Sequence, residues 1–265
     1  VPNYNHARFL DRRLRSVLDQ TYADFELIIL DDASTDDSRA VIGRFAADPR
    51  VRVQFNDRNS GNPFVQWNRG VRLARGGYVW IAESDDYADP RFLERLTGAL
   101  AAHPRAGLAY CQSWFVDEND RVIGNGTEWT DPLDPQRWQR DFVAPGRAEV
   151  LTYLLDSNTI PNASAVVFRR EVYERVHGAD EQMRLSGDWL TWIRILLTSD
   201  LAFVAEPLNY FRRHPSTMRQ QHSLTTRRVR EQLRIVREVR SAAALPPAAW
   251  AIARRSLGES LSAVL

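Results

Sequence analysis

Three carboxylates, Glu83, Asp85 and Asp86, stand within four residues at the end of an apolar run in "YVWIAESDDYADP". Acids this close repel and raise one another's pKa unless a cation or good hydrogen-bond donors sit among them. A second apolar run, "FELIILDDASTDD", ends the same way at Asp31 and Asp32. Carboxylate oxygens are hard ligands for divalent cations, and phosphate oxygens can complete such a shell. For either cluster alone the bland reading is a solvated acidic turn. Two such clusters, each after a buried strand, favour a cation and an anionic ligand lying between them.

The elements that must position these acids alternate along the chain. "ARFLDRRLRSVLDQ" places Phe9, Leu10, Leu14, Val17 and Leu18 on one helical face. The strand "FELIIL", a helix from about Asp36, the strand "VRVQF", a helix ending near "RGG" and the strand "YVWIA" follow. Asp89-Pro90 reads as the start of a further helix whose buried face is Phe92, Leu93, Leu96 and Leu100. This β-α-β-α-β order, with nearly continuous apolar strands, predicts a mostly parallel sheet covered by helices on both faces. Ligands of such sheets bind beyond the carboxyl ends of the strands, where both acid clusters lie.

The second half is less regular. "GLAYCQSWFVDENDRVIG" reads as two strands joined at Asn119-Asp120. "EWTDPLDPQRWQRDFVAPG" is rich in Pro and Trp and reads as an irregular, substrate-contacting loop. "ASAVVF" is expected as a strand, "REVYERV" and "SGDWLTWIRILLTS" as helices, and the chain beyond "HPSTM" as helical, broken at Pro246-Pro247.

Composition bounds the function. The chain has 265 residues, 44% hydrophobic and 26% charged, with net charge +1, which gives no global field for nucleic acid. Every basic residue is Arg. One cysteine, Cys111, excludes a disulfide framework and fits a reducing, cytoplasmic setting. No apolar run approaches the roughly 18 residues of a membrane span. The opening "VPNYNHARFL" reads as the end of a strand and a turn, so we expect a truncated first strand and a chain taken from a longer protein.

"VPNYNHARFL…SVLDQTYADFELIILDDASTDDS", continued by "NSGNPFVQWNRGVRLARGGYVWIAESDDYADP", resembles the family 2 glycosyltransferases of bacterial surface glycans. The likeness covers roughly residues 1 to 215. It implies an α/β GT-A fold over residues 1–222, with 223–265 as an Arg-rich helical extension. It also implies inverting, hexosyltransferase-type transfer from a nucleotide-diphosphate sugar, UDP- or dTDP-linked by preference, to a carbohydrate or lipid-linked hydroxyl. The family's D-x-D motif falls on Glu83-Ser84-Asp85. Asp85 would then bind a divalent cation, Mg2+ or Mn2+, and Glu83 would lie on the donor side. Asp32 would accept from the base, with Tyr4 stacked on it and Pro2 alongside; ordinary core is the bland reading for Tyr4. Asp31 and Asp36 are left as turn and cap residues.

Asp188 would be the general base, flanked on the acceptor side by Trp189 and Trp192, although Gly187 stands where the family usually has Glu. The bland reading of Asp188 is a helix cap. His214 is implied as a metal ligand, with Arg212 and Arg213 near the phosphates. His6, His103, His177 and His222 are read as structural or surface. Two rivals remain: a nucleotidyltransferase, for which the Gly-rich basic loop is absent, and a sugar- or nucleotide-binding module without turnover. Between Arg212 and Arg240 stand nine arginines and two acids. A helical stripe of Val229, Leu233, Val236 and Val239 there suits either an anionic inner-membrane face or docking on the core, and docking is the preferred reading.

Overall fold

In the computed structural model, residues 1–160, 162–214, 226–242 and 246–262 are described. Strands β1 (Pro2–Asn3), β2 (Leu27–Asp31) and β3 (Val51–Phe55) form a parallel sheet in that order, with Pro2 opposite Leu30 and Leu27 opposite Val51. Helices α1 (Ala7–Leu18), α2 (Ser38–Gly43) and α3 (Pro63–Leu73) alternate with these strands and with β4 (Tyr78–Trp80), as the periodicity predicts. α1 buries Leu10, Leu14 and Val17 against Leu27, Ile29, Val41 and Ile42. It also buries Arg13, which no apolar periodicity would place there.

The other sheet has seven strands and mixes directions. Its path runs β4, β9 (Val166–Arg169), β6 (Ala106–Val116), β10 (Asp200–Arg212), β5 (Tyr87–Ala88). β6 and β10 are parallel, while β9 and β5 run antiparallel to their neighbours. β7 (Val122–Asn125) folds back on β6 through a turn in which Asp120 takes φ 66, and so pairs antiparallel. β8 (Phe142–Ala144) lines the other edge of β10. Parallel pairing therefore holds for β1–β3 and for the central β6–β10 pair, while β4, the third strand of the expected parallel series, joins the mixed sheet and pairs antiparallel with β9. The 13 residues of β10 make the longest strand of this sheet.

Three local expectations are corrected. Helix α4 (Phe92–Ala102) starts after Arg91, and Asp89 stands in the preceding turn, where its carboxylate accepts the Arg91 amide. The Pro- and Trp-rich segment folds onto the core: helix α5 (Thr127–Thr130) and β8 bracket Trp138, which is buried and donates to the Tyr110 hydroxyl at 2.7 Å. "ASAVVF" opens with a 3-10 turn at Ala163–Ala165 before β9 begins.

α6 (Gly146–Glu149), α7 (Arg170–Arg175) and α8 (Gly187–Leu196) cover one face of the sheet. α9 (Thr226–Ala242) docks on that layer, burying Val229, Ile235, Val236 and Val239, and α10 (Pro247–Ser262) packs beside it. The apolar stripe is thus covered by protein, as the docking reading expects, with Ile235 rather than Leu233 in it. Among the described residues no helix is long and apolar enough to cross a membrane. The boundary expected at 222/223, and His222 with it, lie outside the described residues.

Candidate active site

The acidic turn follows β4 and is held from below by two buried arginines. Arg13 donates through Nε to the Glu83 carbonyl at 2.7 Å and through Nη2 to Ser164 Oγ at 3.0 Å. Arg212 donates through Nε to the Asp85 carbonyl and through Nη1 to the Asp117 carbonyl, both at 2.7 Å. Asp86 is buried between them: it accepts the Arg212 amide at 2.8 Å and Asn162 Nδ2 at 2.9 Å. Asp86 therefore serves the turn and points inward. Arg212, with a further bond to Asp120, is spent on protein groups, which corrects its expected place at the phosphates. Arg213 stacks over Phe115 with its guanidinium carbon 3.8 Å from the ring centroid.

Asp85 points the other way. Its Oδ2 lies 3.1 Å from His214 Nε2, just beyond the end of β10. His6, at the start of α1, lies across from His214 with ring centroids 6.0 Å apart, its Nδ1 2.8 Å from Ser84 Oγ. One ligand atom each from His6, Asp85 and His214 falls within 4.8 Å of the others. Neighbouring ligands around an ion at about 2.1 Å lie about 3 Å apart, so the His214–Asp85 spacing already suits a shared ion. Two imidazoles and a carboxylate fit a first-row divalent cation better than Mg2+, which takes an all-oxygen shell. His6 was expected to be structural. The signal for it was its place directly after the strand-turn "VPNYN".

Charge explains the polarity of the cluster. Burial, with Asp85 nearby, pushes the Glu83 carboxyl up to about 8, against the bond it accepts from Trp67 Nε1 at 2.8 Å. Burial and Asp85 likewise raise Asp86 to about 6, against Arg13 and the Arg212 amide. Burial also disfavours ionised Asp85, yet the hydrogen bond to His214 and the nearby His6 hold it below the usual carboxylate range.

A stability prediction follows. Unfolded Glu83 releases its proton near 4.5 and the folded residue near 8, so the native state loses stability as pH rises across that window. In chelator, the melting temperature of the native sequence should fall from pH 6.5 to 8.5 by more than that of Glu83→Gln. Parallel curves for the two proteins would refute the assignment.

The residues expected on the donor side lie around the end of β1 and β2. Pro2 is buried in β1, and Tyr4 is 45% exposed, so it is not core. Asp31 accepts Asn3 Nδ2 and the Ser34 amide, and Asp36 accepts the Ala7 and Ser38 amides, so both serve local turns, while the cap position of α2 is Asp37. Asp32 is buried, and its carboxylate accepts from Asn56 Nδ2, the Ser60 amide and hydroxyl, and Gln66 Nε2.

On the other side, Asp188 is the second residue of α8, partly exposed, with Asn158 Nδ2 3.3 Å from its Oδ2. The cap position is Ser186, so capping does not explain Asp188. The segment around it links the two halves: Asn158 meets Asp188, Asn162 meets Asp86, and the Ser164 hydroxyl accepts the Glu83 amide at 3.0 Å. Gly187 has a packing reason, because a Cβ there would come 2.4 Å from Phe64 Cε2. Trp189 and Trp192 are corrected. Both are buried in the main core; Trp189 donates to the Leu154 carbonyl, and Trp192 packs against Trp67 and Phe168, leaving no face for a sugar.

Comparison with known proteins gives the arrangement a family. The chain is 29% identical over 218 residues to the uncharacterized glycosyltransferase alr2836 of Nostoc sp., covering 81% of this chain and 63% of that protein. It is 32% identical over 130 residues to chondroitin synthase of Escherichia coli, covering 49% of this chain and only 19% of the synthase. Among solved structures, S. aureus TarS 1-349 in complex with UDP-GlcNAc superposes with TM-score 0.71 at 19% identity, over 99% of this chain and 70% of that one. Mannosyltransferase PcManGT from Pyrobaculum calidifontis, in complex with GDP-Man and Mn2+, gives 0.67 at 18% identity, over 99% and 72%. The fold is accordingly GT-A. The Glycosyl transferase family 2 model matches residues 1–177, two-thirds of the chain, which includes Pro2, Tyr4, Asp32 and the acidic turn, and the chain belongs to that family.

Proposed function

We propose that this protein is a metal-dependent, inverting glycosyltransferase. It moves a sugar from a UDP- or dTDP-linked donor to a hydroxyl of a carbohydrate or lipid-linked acceptor. The observation that carries this reading is the meeting of His6, Asp85 and His214 ligand atoms beside the acidic turn. Those three residues would hold the cation. When bound, it would offset the negative charge that develops on the leaving diphosphate.

The rest falls to the chain's own groups. Tyr4 offers an exposed ring for the base to stack on. Asp32 is oriented by Asn56, Ser60 and Gln66, and takes a base N–H where Ser60 yields one of its two bonds. Arg13 and Arg212 fix the backbone of the turn, so that Asp85 is aimed before the donor arrives. Asp188 takes the acceptor proton as the acceptor oxygen attacks the anomeric carbon from the face opposite the diphosphate. The carbon–oxygen bond to the diphosphate breaks as the new one forms, which inverts that carbon.

A thermal-shift screen of UDP, dTDP and GDP, each with Mn2+, Mg2+ or chelator, tests the reading. A ligand selective for the folded state raises the melting temperature by mass action. The expected result is a shift that needs the ion and is larger with Mn2+ than with Mg2+, because two of the three ligands are imidazoles. No shift with any nucleotide at millimolar concentration would sink the proposal.

A further inference from the structure

Helix α9 lies beyond the stretch that defines the family, yet one of its side chains reaches the residues just ahead of Asp188. Glu231 is 6% exposed. Its Oε1 accepts the Arg184 amide at 2.8 Å, and its Oε2 accepts the Leu185 and Ser186 amides at 3.0 and 2.8 Å. These are the last three amides before α8 begins at Gly187, and Ser186, at the cap position, makes no side-chain capping bond. A carboxylate from another helix thus holds the backbone that leads into α8, up to and including the cap residue. It also complements the positive end of the α8 dipole.

α9 has other anchors besides that carboxylate. Arg194 on α8 pairs with Glu238, Arg234 pairs with Asp180, and Ile235, Val236 and Val239 pack in the main core. Glu231 is buried, charged and aimed at three donors, which is more than docking requires. Charge-assisted bonds of this kind are short and directional. A base must be held within about 0.5 Å of its productive position, and a misplacement of about 1 Å costs on the order of 100-fold in rate.

We propose that Glu231 is a positioning residue: it fixes residues 184–186 and so sets the start of α8 from which Asp188 projects, making α9 part of the catalytic unit. The inference rests on the reading of Asp188 as the base. Its test therefore includes a readout independent of turnover.

The experiment compares Glu231→Gln, Glu231→Ala and Glu238→Gln in the full chain, by amide hydrogen exchange and by the kinetics of UDP-sugar cleavage with Mn2+. In both Glu231 variants the amides of residues 184–190 should exchange about tenfold faster or more, while residues 232–240 keep their protection. The turnover number should fall about tenfold or more with donor KM within about twofold, and Glu238→Gln should change neither. Unchanged exchange at 184–190 would overturn the proposal. So would an equal loss in Glu238→Gln, or a Glu231→Gln protein in which α9 itself opens, since either would mean that the glutamate merely docks the helix. If the native chain cleaves no nucleotide sugar, the glycosyltransferase reading fails while the exchange arm still decides whether Glu231 orders the segment.

Discussion

Asp188→Asn should cut transfer by about 10²–10⁴-fold while leaving the donor bound. Asp188 is not among the three residues placed to hold a cation, and it comes from α8 rather than from the acidic turn. Nucleotide and ion should therefore raise the melting temperature of the variant as they do that of the native protein. The amide is isosteric and can still accept from Asn158, so the fold should survive. Loss of an acid from the first turn of a helix costs about 0.3–1 kcal/mol, a drop of a few degrees at most. What the amide loses is basicity. Positioned general bases contribute about 10²–10⁴-fold, and the turnover number should fall by that factor with donor KM little changed. Single-turnover transfer at the native rate would remove Asp188 from the mechanism.

Asp85→Ala should have an effect of similar size but opposite character. Removing the carboxylate leaves two imidazoles, His6 and His214, as ligands. Several kcal/mol of ion-dependent charge stabilisation is about 10³-fold in rate, and the ion-dependent thermal shift with UDP should vanish with it. The metal-free protein should nevertheless be no less stable than the native one. Asp85 is the neighbouring charge that, after burial, pushes Glu83 and Asp86 up, and its removal relieves both. Melting in chelator across pH 6 to 9 should place the variant at or above the native curve. A variant that keeps full metal-dependent transfer would sink the role given to Asp85. A marked loss of stability would show instead that its bond to His214 holds the fold.

The two results together separate the halves of the site. Loss of turnover with binding intact belongs to the α8 side, and loss of ion-dependent binding belongs to the turn after β4. A protein in which both substitutions are silent would retain the fold without the proposed chemistry.

Much of this architecture is written locally. The 3.6-residue spacing of Leu10, Leu14 and Val17 makes one face of α1 apolar, and uninterrupted apolar runs make β2 and β4. Acids directly after those strands mark where the sheet ends, because a carboxylate is stable there only beside donors or a cation. The turn roles of Asp31 and Asp36 followed from side chains that bond amides two or three residues along. Asp188 could be placed near a helix start because it stands just ahead of an apolar run.

What the sequence left open depends on partners far along the chain. Arg13 lies 70 residues from the carbonyl it holds and Arg212 lies 127 from its own, so no local pattern distinguishes them from solvated arginines. Trp189 and Trp192 read as sugar platforms beside a candidate base. In α8, however, nearly every residue is buried, so apolar periodicity did not tell an inner face from an outer one. His6 became a candidate ligand only when β10 brought His214 to within a ring's width of it. Glu231 was one of two acids in an arginine-rich stretch until α9 docked. Hydrophobic spacing specifies which face of an element is buried. Which polar groups meet once it is buried is set by how the elements cross, and in this protein that crossing assembles the candidate site.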